Sequence, residues 1–218
     1  MTDGGKGSGR IRCRSHGSAL TAAWLASANA CAPHAAPLPG APTPRSVSLP
    51  RVELPPAARR VTFNWSYDEQ DGASARGEGV ARVSPPDTAQ LQFFLAGGFA
   101  AGAARLTGNR LEIPNREMFR RLIPDAPLLW AALGRLALPP APDTTLRQSG
   151  DTLRGDVGRA PTWRVTLVRD TLRRVERIDN GRVTERLDRA ANRVTYRHEV
   201  ERRSLRIDVV RDVPIAAQ

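Results

Sequence analysis

Lysine, histidine and cysteine are almost absent from this chain of 218 residues. Its two cysteines, Cys13 and Cys31, both precede the region able to fold, which argues against a disulfide framework and against a cysteine metal site. Of the three histidines, His16 and His34 lie early, and only His198 falls among the later periodic segments. A single histidine makes no ligand cluster, and no Ser-His-Asp arrangement is signalled. The pairs Gly4-Gly5 and Gly97-Gly98 do not lead from a strand into a helix bearing Lys-Ser or Lys-Thr, so neither reads as a phosphate loop. The expectation is a protein that is not an enzyme and needs no cofactor and no metal. No apolar run reaches the roughly 20 residues of a membrane-spanning helix.

Positive charge is what the chain has in excess. The net charge is +11, and Lys6 is the only lysine, so every later base is arginine. From Asp143 onward 17 arginines interleave with 12 acidic residues. Arg169-Asp170, Glu176-Arg177, Glu185-Arg186 and Asp188-Arg189 are examples. On neighbouring strands such alternation forms cross-strand pairs and guards edges. A nucleic-acid reader would show a segregated patch with exposed aromatics, and none is evident. The arginines are therefore expected on solvated faces, with contact to anionic lipid left open. His198 shares a face with Val194, Tyr196 and Val200 and reads as a core or cavity histidine.

The N-terminal stretch reads as a leader. Residues 1–18 are polar and basic, and Ala19–Ala30 is apolar and small, ending in Ala28, Asn29 and Ala30. This is the charged, apolar and small-residue order of a secretory signal, and Cys31 follows at once. Cleavage before an incidental cysteine is one reading. The other is lipid attachment at Cys31, which gives an otherwise unpaired exported thiol a purpose. Eight prolines between Pro33 and Pro56 then predict an extended, unpacked tether. Fully extended, it would reach on the order of 75 Å.

From Val61 the pattern alternates with period two, the mark of half-buried strands. Val61, Phe63, Trp65 and Tyr67 form one face of the first; Ala75–Ser84 and Ala89–Leu95 follow. Phe99–Thr107 and Arg110–Ile113 flank the Gly108-Asn109 turn. Hairpins return after Asp143, the clearest around Asn180-Gly181. Between them, Met118, Phe119, Leu122 and Ile123 lie on one stripe of a short helix. A second helix, N-capped by Asp125, has the stripe Leu128, Leu129, Ala132, Leu133 and Leu136. Helices this short need an apolar surface to dock on. The fold expected is mainly β (α+β): a curved antiparallel sheet or half-open barrel of about ten strands with a helical lid.

Particular residues add a resemblance. Gly77, Gly79 and Arg82, then Pro85-Pro86-Asp87, Leu91-Gln92-Phe93, Leu128–Trp130 and Leu133-Gly134 before a proline resemble the lipoprotein-carrier superfamily of LolA and LolB. The resemblance covers about Val61 to Val213. It implies acyl-chain or other hydrophobic-ligand binding between sheet and helices. Some members of the superfamily are themselves outer-membrane lipoproteins. It also implies an apolar residue on a protruding loop that aids transfer, for which Phe99 is the nearest analogue. Ala32 after the cysteine, rather than Asp, resembles the sorting pattern for outer-membrane residence.

The reading is thus a signal peptide over 1–30, a lipidated cysteine and tether over 31–58, and a LolA/LolB-like domain over 59–215. Its function would be that of a periplasmic lipoprotein at the outer membrane. It would bind an acyl chain through Trp65, Phe93, Phe99, Met118, Phe119, Trp130, Leu133 and Trp163. The competing function is a structural or sensing envelope module of the same fold with a protein partner and no lipid. In both readings Cys31 anchors the chain to a membrane and no nucleic acid is bound.

Overall fold

The computed structural model describes residues 32–44, 48–70, 72–114 and 116–215, apart from the side chains of 116–118. Cys31 and the expected signal peptide lie outside the described residues, as does the side chain of Met118.

The N-terminal half supplies strands β1 (Ala41–Pro42), β2 (Arg59–Glu69), β3 (Ser74–Ser84), β4 (Thr88–Leu95), β5 (Ala100–Thr107) and β6 (Arg110–Glu112). Two helices follow, α1 (Arg116–Leu122) and α2 (Ala126–Leu133). The C-terminal half is a meander of β7 (Thr144–Ser149), β8 (Thr152–Val157), β9 (Thr162–Val168), β10 (Thr171–Asp179), β11 (Arg182–Arg189), β12 (Arg193–His198) and β13 (Arg203–Pro214). Each described ladder is antiparallel, and the order across the sheet is β1-β7-β8-β9-β10-β11-β12-β13-β2-β3-β4-β5-β6. The strand count is 13 rather than about ten. The sheet curls without closing, because β1 and β6 remain its two edges. The expected class, a curved antiparallel sheet with a short helical insertion, is the one observed.

Alternation explains the strands. In β2 Val61, Phe63, Trp65 and Tyr67 are buried while Thr62, Asn64, Ser66 and Asp68 are not. The same parity buries Val165 and Leu167 in β9 and Val183, Glu185 and Leu187 in β11. The Asn180-Gly181 turn has φ of 50° and 73°, the left-handed pair that a two-residue hairpin requires. Arg169-Asp170 adopts the same geometry, with φ of 49° and 58°, although neither residue announces it. Its cost is offset locally, since Arg169 N donates to Asp151 O and its guanidinium pairs with the Asp151 carboxylate at 2.7 Å.

The longest ladder joins the two halves of the chain. β13 pairs with β2 from Arg203↔Glu69 to Pro214↔Arg59, so the last strand lies beside one of the first. Within one continuous core the β2, β9 and β11 faces meet the helices.

The proline-rich stretch corrects the expectation of a free tether. It is extended, as proline dictates, but it is packed. Val183 N donates to Pro33 O and Ala35 N to Gly181 O, both at 2.9 Å, while His34 bridges Arg182. Arg164, on the face opposite Trp163 and Val165, donates to Ala36 O at 2.6 Å. The segment then pairs with the β7 edge through Ala41↔Gln148 and turns onto the core side. There Leu54 is buried and Val52 O accepts from Leu136 N at 2.8 Å. The described part of the segment is a strap around the sheet. Its prolines leave few backbone donors, so single backbone bonds and apolar side chains fix it where a full ladder could not form.

Candidate ligand-binding cleft

The floor of the candidate site is the concave face of the sheet. Phe93 is its aromatic centre, 5.4 Å from Phe63, 5.8 Å from Trp65 and 5.6 Å from Phe119, each ring edge-on to it. Glycines make room for these rings. A Cβ at Gly79 would lie 2.3 Å from the Phe63 ring, and one at Gly102 would lie 2.4 Å from Phe119. Gly77 admits a different neighbour, the backbone of β4, since its Cβ would meet Phe94 O. The Trp65 indole N–H donates at this point to both Glu78 O at 3.0 Å and Phe94 O at 3.2 Å.

Of the residues proposed from the sequence, Trp65, Phe93, Phe119, Trp130 and Trp163 meet in one buried core, with Leu133 half-buried against it. Phe99 does not join them. It is 74% exposed on the turn between β4 and β5, because Gly97 and Gly98 both take positive φ and carry the chain away from the sheet. It therefore protrudes, and it lines no part of the concave face. Val200 is likewise on a turn and 55% exposed, not on the His198 face of a strand.

Helix α2 departs from the expected stripe. Leu128, Leu129, Trp130 and Ala131 are all buried, whereas Ala132 and Leu133 are only partly so. A helix apolar all round must be covered all round. The sheet takes one side, and strap residue Val52 with Leu136 and Leu138 packs against the same core. The Trp130 indole donates to Gly108 O at 2.6 Å and lies beneath the Arg135 guanidinium at 4.9 Å. Asp125 stands at the N-cap, as predicted, but makes no capping bond with its side chain. Instead it meets Arg177 at 3.3 Å.

That contact belongs to a set the sequence reading missed. Arg59, Arg177, Arg189 and Arg203 occupy the apolar register of their strands, two places from Val61, Val175, Leu187 and Leu205 respectively. They were expected on solvated faces. Three of them fasten the helices instead. Arg59 Nη2 donates to Leu133 O at 2.7 Å at the end of α2 while Nη1 pairs with Asp212 at 2.8 Å. Arg203 donates to Arg121 O in the last turn of α1, and Arg177 holds Asp125 ahead of α2. Cations suit helix C-termini, where carbonyls lack intrahelical partners. Counting residues in steps of two along each strand would have found Arg59, Arg189 and Arg203, whereas register shifts in β10 break the count that leads to Arg177. Other arginines match the expected cross-strand pattern: Arg186 meets Glu176 at 2.8 Å, Arg164 meets Asp156 at 2.8 Å and Arg193 meets Asp208 at 2.6 Å.

Between α2 and strands β2, β12 and β13 lies a cavity of about 50 Å³, lined by Val61, Phe63, Leu91, Leu129, Leu133, Val194 and Ile207. Arg59, Arg189 and Asp212 stand at its polar margin. It has room for a few waters, far below the roughly 300 Å³ at which small-molecule pockets begin. Beside Arg177 and Tyr196, burial pushes the Glu185 carboxyl above its usual range, with Asp125 adding to the shift and Arg177 and the Tyr196 hydroxyl opposing it. Burial likewise holds the His198 imidazole below its ordinary 6.5. His198 Nδ1 accepts from Glu201 N at 3.1 Å, which suits the neutral ring. Burial and the Glu69 carboxylate raise the Tyr67 phenol to about 12. No group of acidic, histidine or cysteine side chains fit to hold a metal ion exists among the described residues.

No protein-family model and no curated protein sequence matches the chain. Solved structures do resemble it. A LolA superfamily protein from Nitrosomonas europaea aligns at 9% identity and TM-score 0.49, over 76% of this chain and 90% of that one. A DUF1329 family protein from Desulfovibrio piger aligns at 9% identity and TM-score 0.45, over 74% and 87%. An outer-membrane lipoprotein-sorting protein domain from Vibrio parahaemolyticus aligns at 9% identity and TM-score 0.43, again over 74% and 87%. At such scores the likeness is one of general shape, and the functional argument rests on this chain's own residues.

Proposed function

We propose that this protein is a binding protein of the cell envelope, not an enzyme. In this reading Cys31 bears a lipid that holds it to the periplasmic face of the outer membrane. The concave sheet takes up an acyl chain or similar hydrophobic ligand when α1 and α2 move aside, in the service of lipoprotein or lipid transport. The observation that supports a movable lid is how the helices are fastened. Their ends are held by three arginine contacts, Arg59 to Leu133 O, Arg203 to Arg121 O and Arg177 to Asp125, over a floor that is mostly apolar apart from Glu185 and Arg189. Polar contacts at an edge can exchange for water as the lid lifts, whereas the floor can be covered again only by something apolar. The present cavity is then the closed, empty form. Extraction of the protein purified from its membrane, followed by mass spectrometry, should find a bound lipid.

The strap gives the anchored form an orientation. Ala32 is buried beside the β10–β11 turn, and alternating strand direction puts the β4–β5 and β12–β13 turns at that same end of the sheet. These two turns bear the exposed Phe99 and Val200. A lipid on Cys31 would hold this end against the bilayer with no long spacer between.

The competing reading, a structural or sensing module with a protein partner, is favoured by one fact. Leu128, Trp130 and Ala131 are wholly inaccessible, so the cleft is filled by the protein's own side chains. Cross-linking in intact cells separates the two: a stable protein partner with no extractable lipid would support the module and reject the carrier.

A further inference from the structure

Three of the four concave-face arginines have their partners in the lid or beside it. The fourth, Arg189, has none. It makes no ion pair or hydrogen bond among the described residues, and its Nε is buried without an acceptor. Its guanidinium lies over Gly134, the left-handed residue that ends α2, where a Cβ would be 3.0 Å from Nη2. It also borders the apolar cavity. The nearest acid, Asp212, already pairs with Arg59 at 2.8 Å. Burial and the like charges of Arg59 and Arg173 both press on Arg189, and Asp212 only partly opposes them.

A half-buried cation with no ion pair of its own among the described residues is unfavourable for folding unless something compensates it. The helix C-terminus beside it contributes little, since its last carbonyls are already taken: Gly134 N donates to Ala131 O and Arg135 N to Trp130 O. A guanidinium binds carboxylate or phosphate oxygens through two parallel N–H bonds. Resting on the carrier reading, we infer that Arg189 receives the anionic head group, carboxylate or phosphate, of an amphiphile. Its hydrocarbon chain enters beneath α2 where the cavity now lies. The ligand is thus charged at one end, and Arg189 sets which end stays at the mouth.

The test compares dodecanoate, dodecyl phosphate and dodecanol binding to the full-length protein by native mass spectrometry and calorimetry at pH 8. The two anions should bind at least tenfold more tightly than the alcohol, and the tighter of them identifies the head group. Arg189→Met should abolish that advantage and leave dodecanol binding unchanged. It should melt no lower than the parent protein, because it removes an uncompensated charge. Equal binding of all three by the parent, or an advantage retained in Arg189→Met, overturns the head-group assignment and leaves the carrier reading intact. Binding of none of the three overturns the carrier reading itself. A marked loss of thermal stability in Arg189→Met would make the residue a support for α2 and would likewise overturn the assignment.

Discussion

Arg59 on β2 and Leu133 at the end of α2 are joined by one 2.7 Å bond from a guanidinium to a backbone carbonyl. It spans 74 residues of sequence and ties the second helix to the sheet's longest ladder. Arg59→Met should cost about 1.5–3 kcal/mol, the range for a hydrogen bond from a charged donor, and should loosen α2 selectively. Hydrogen exchange checks this. Amides of residues 126–136 should exchange faster while those of β10–β13 do not, and uniform change would refute the fastening role.

Leu129 and Leu133 lie one helical turn apart in different surroundings. Leu129 is 2% exposed, and its replacement by Ala should cost roughly 2–5 kcal/mol. Both line the cavity, but Leu133 is only half-buried, so Leu133→Ala should cost less than Leu129→Ala. Chemical denaturation of both variants reads the difference. In a carrier, Leu133→Ala should lower ligand retention; a large destabilisation with unchanged lipid content would count against the carrier reading.

Gly102 accepts the Phe119 ring where a methyl group would stand 2.4 Å from it. Gly102→Ala should push Phe119 off Phe93 and cost about 1–3 kcal/mol, typical of overpacking. The double variant Gly102→Ala with Phe119→Leu should lose less than the sum of the two singles. Additive losses would show that the two positions are independent.

His198 predicts a dependence on acid. Its pKa in the folded protein lies below the unfolded value near 6.5, chiefly through burial. Between those two values the unfolded chain binds the proton and the folded one does not. The contribution to stability is therefore full above about pH 6.5 and is lost as pH falls towards the folded pKa. Groups that face His198 act in both directions, Glu201 and Asp125 raising its pKa and Arg203 and Arg177 lowering it. Urea titrations from pH 7.5 to 5 should show a shallower acid slope in His198→Gln than in the parent. Identical slopes would sink the idea.

Anchoring is tested by labelled palmitate, which should enter the full-length protein and be lost in Cys31→Ser, with release of soluble protein. Spin labels on reconstituted lipoprotein should place Val200 near the bilayer and Asn192, at the other end of the sheet, far from it. Equal depths would reject the orientation, and membrane retention of Cys31→Ser would point to direct lipid contact by the arginines.

Much of this fold follows from sequence because strand alternation is local. A residue and its second neighbour share a face whatever the chain does elsewhere, so the buried rows of β2, β4 and β9 were legible. So were the Asn180-Gly181 turn and the existence of two short helices. Trp65, Phe93 and Trp163 of the cleft followed from strand rows, whereas Phe119 and Trp130 lie on the helices. The sheet's order, the strap and the lid fastenings were decided only in three dimensions. β13 beside β2, Pro33 beside Val183 and Arg59 beside Leu133 join residues far apart in the chain, and no local period encodes such pairs. Proline enforces an extended backbone but does not say whether a sheet edge waits to receive it. An arginine in an apolar register is likewise ambiguous until the partner across the core is known. At Arg59, Arg177 and Arg203 the tertiary structure supplied that partner, and at Arg189 it left the position open.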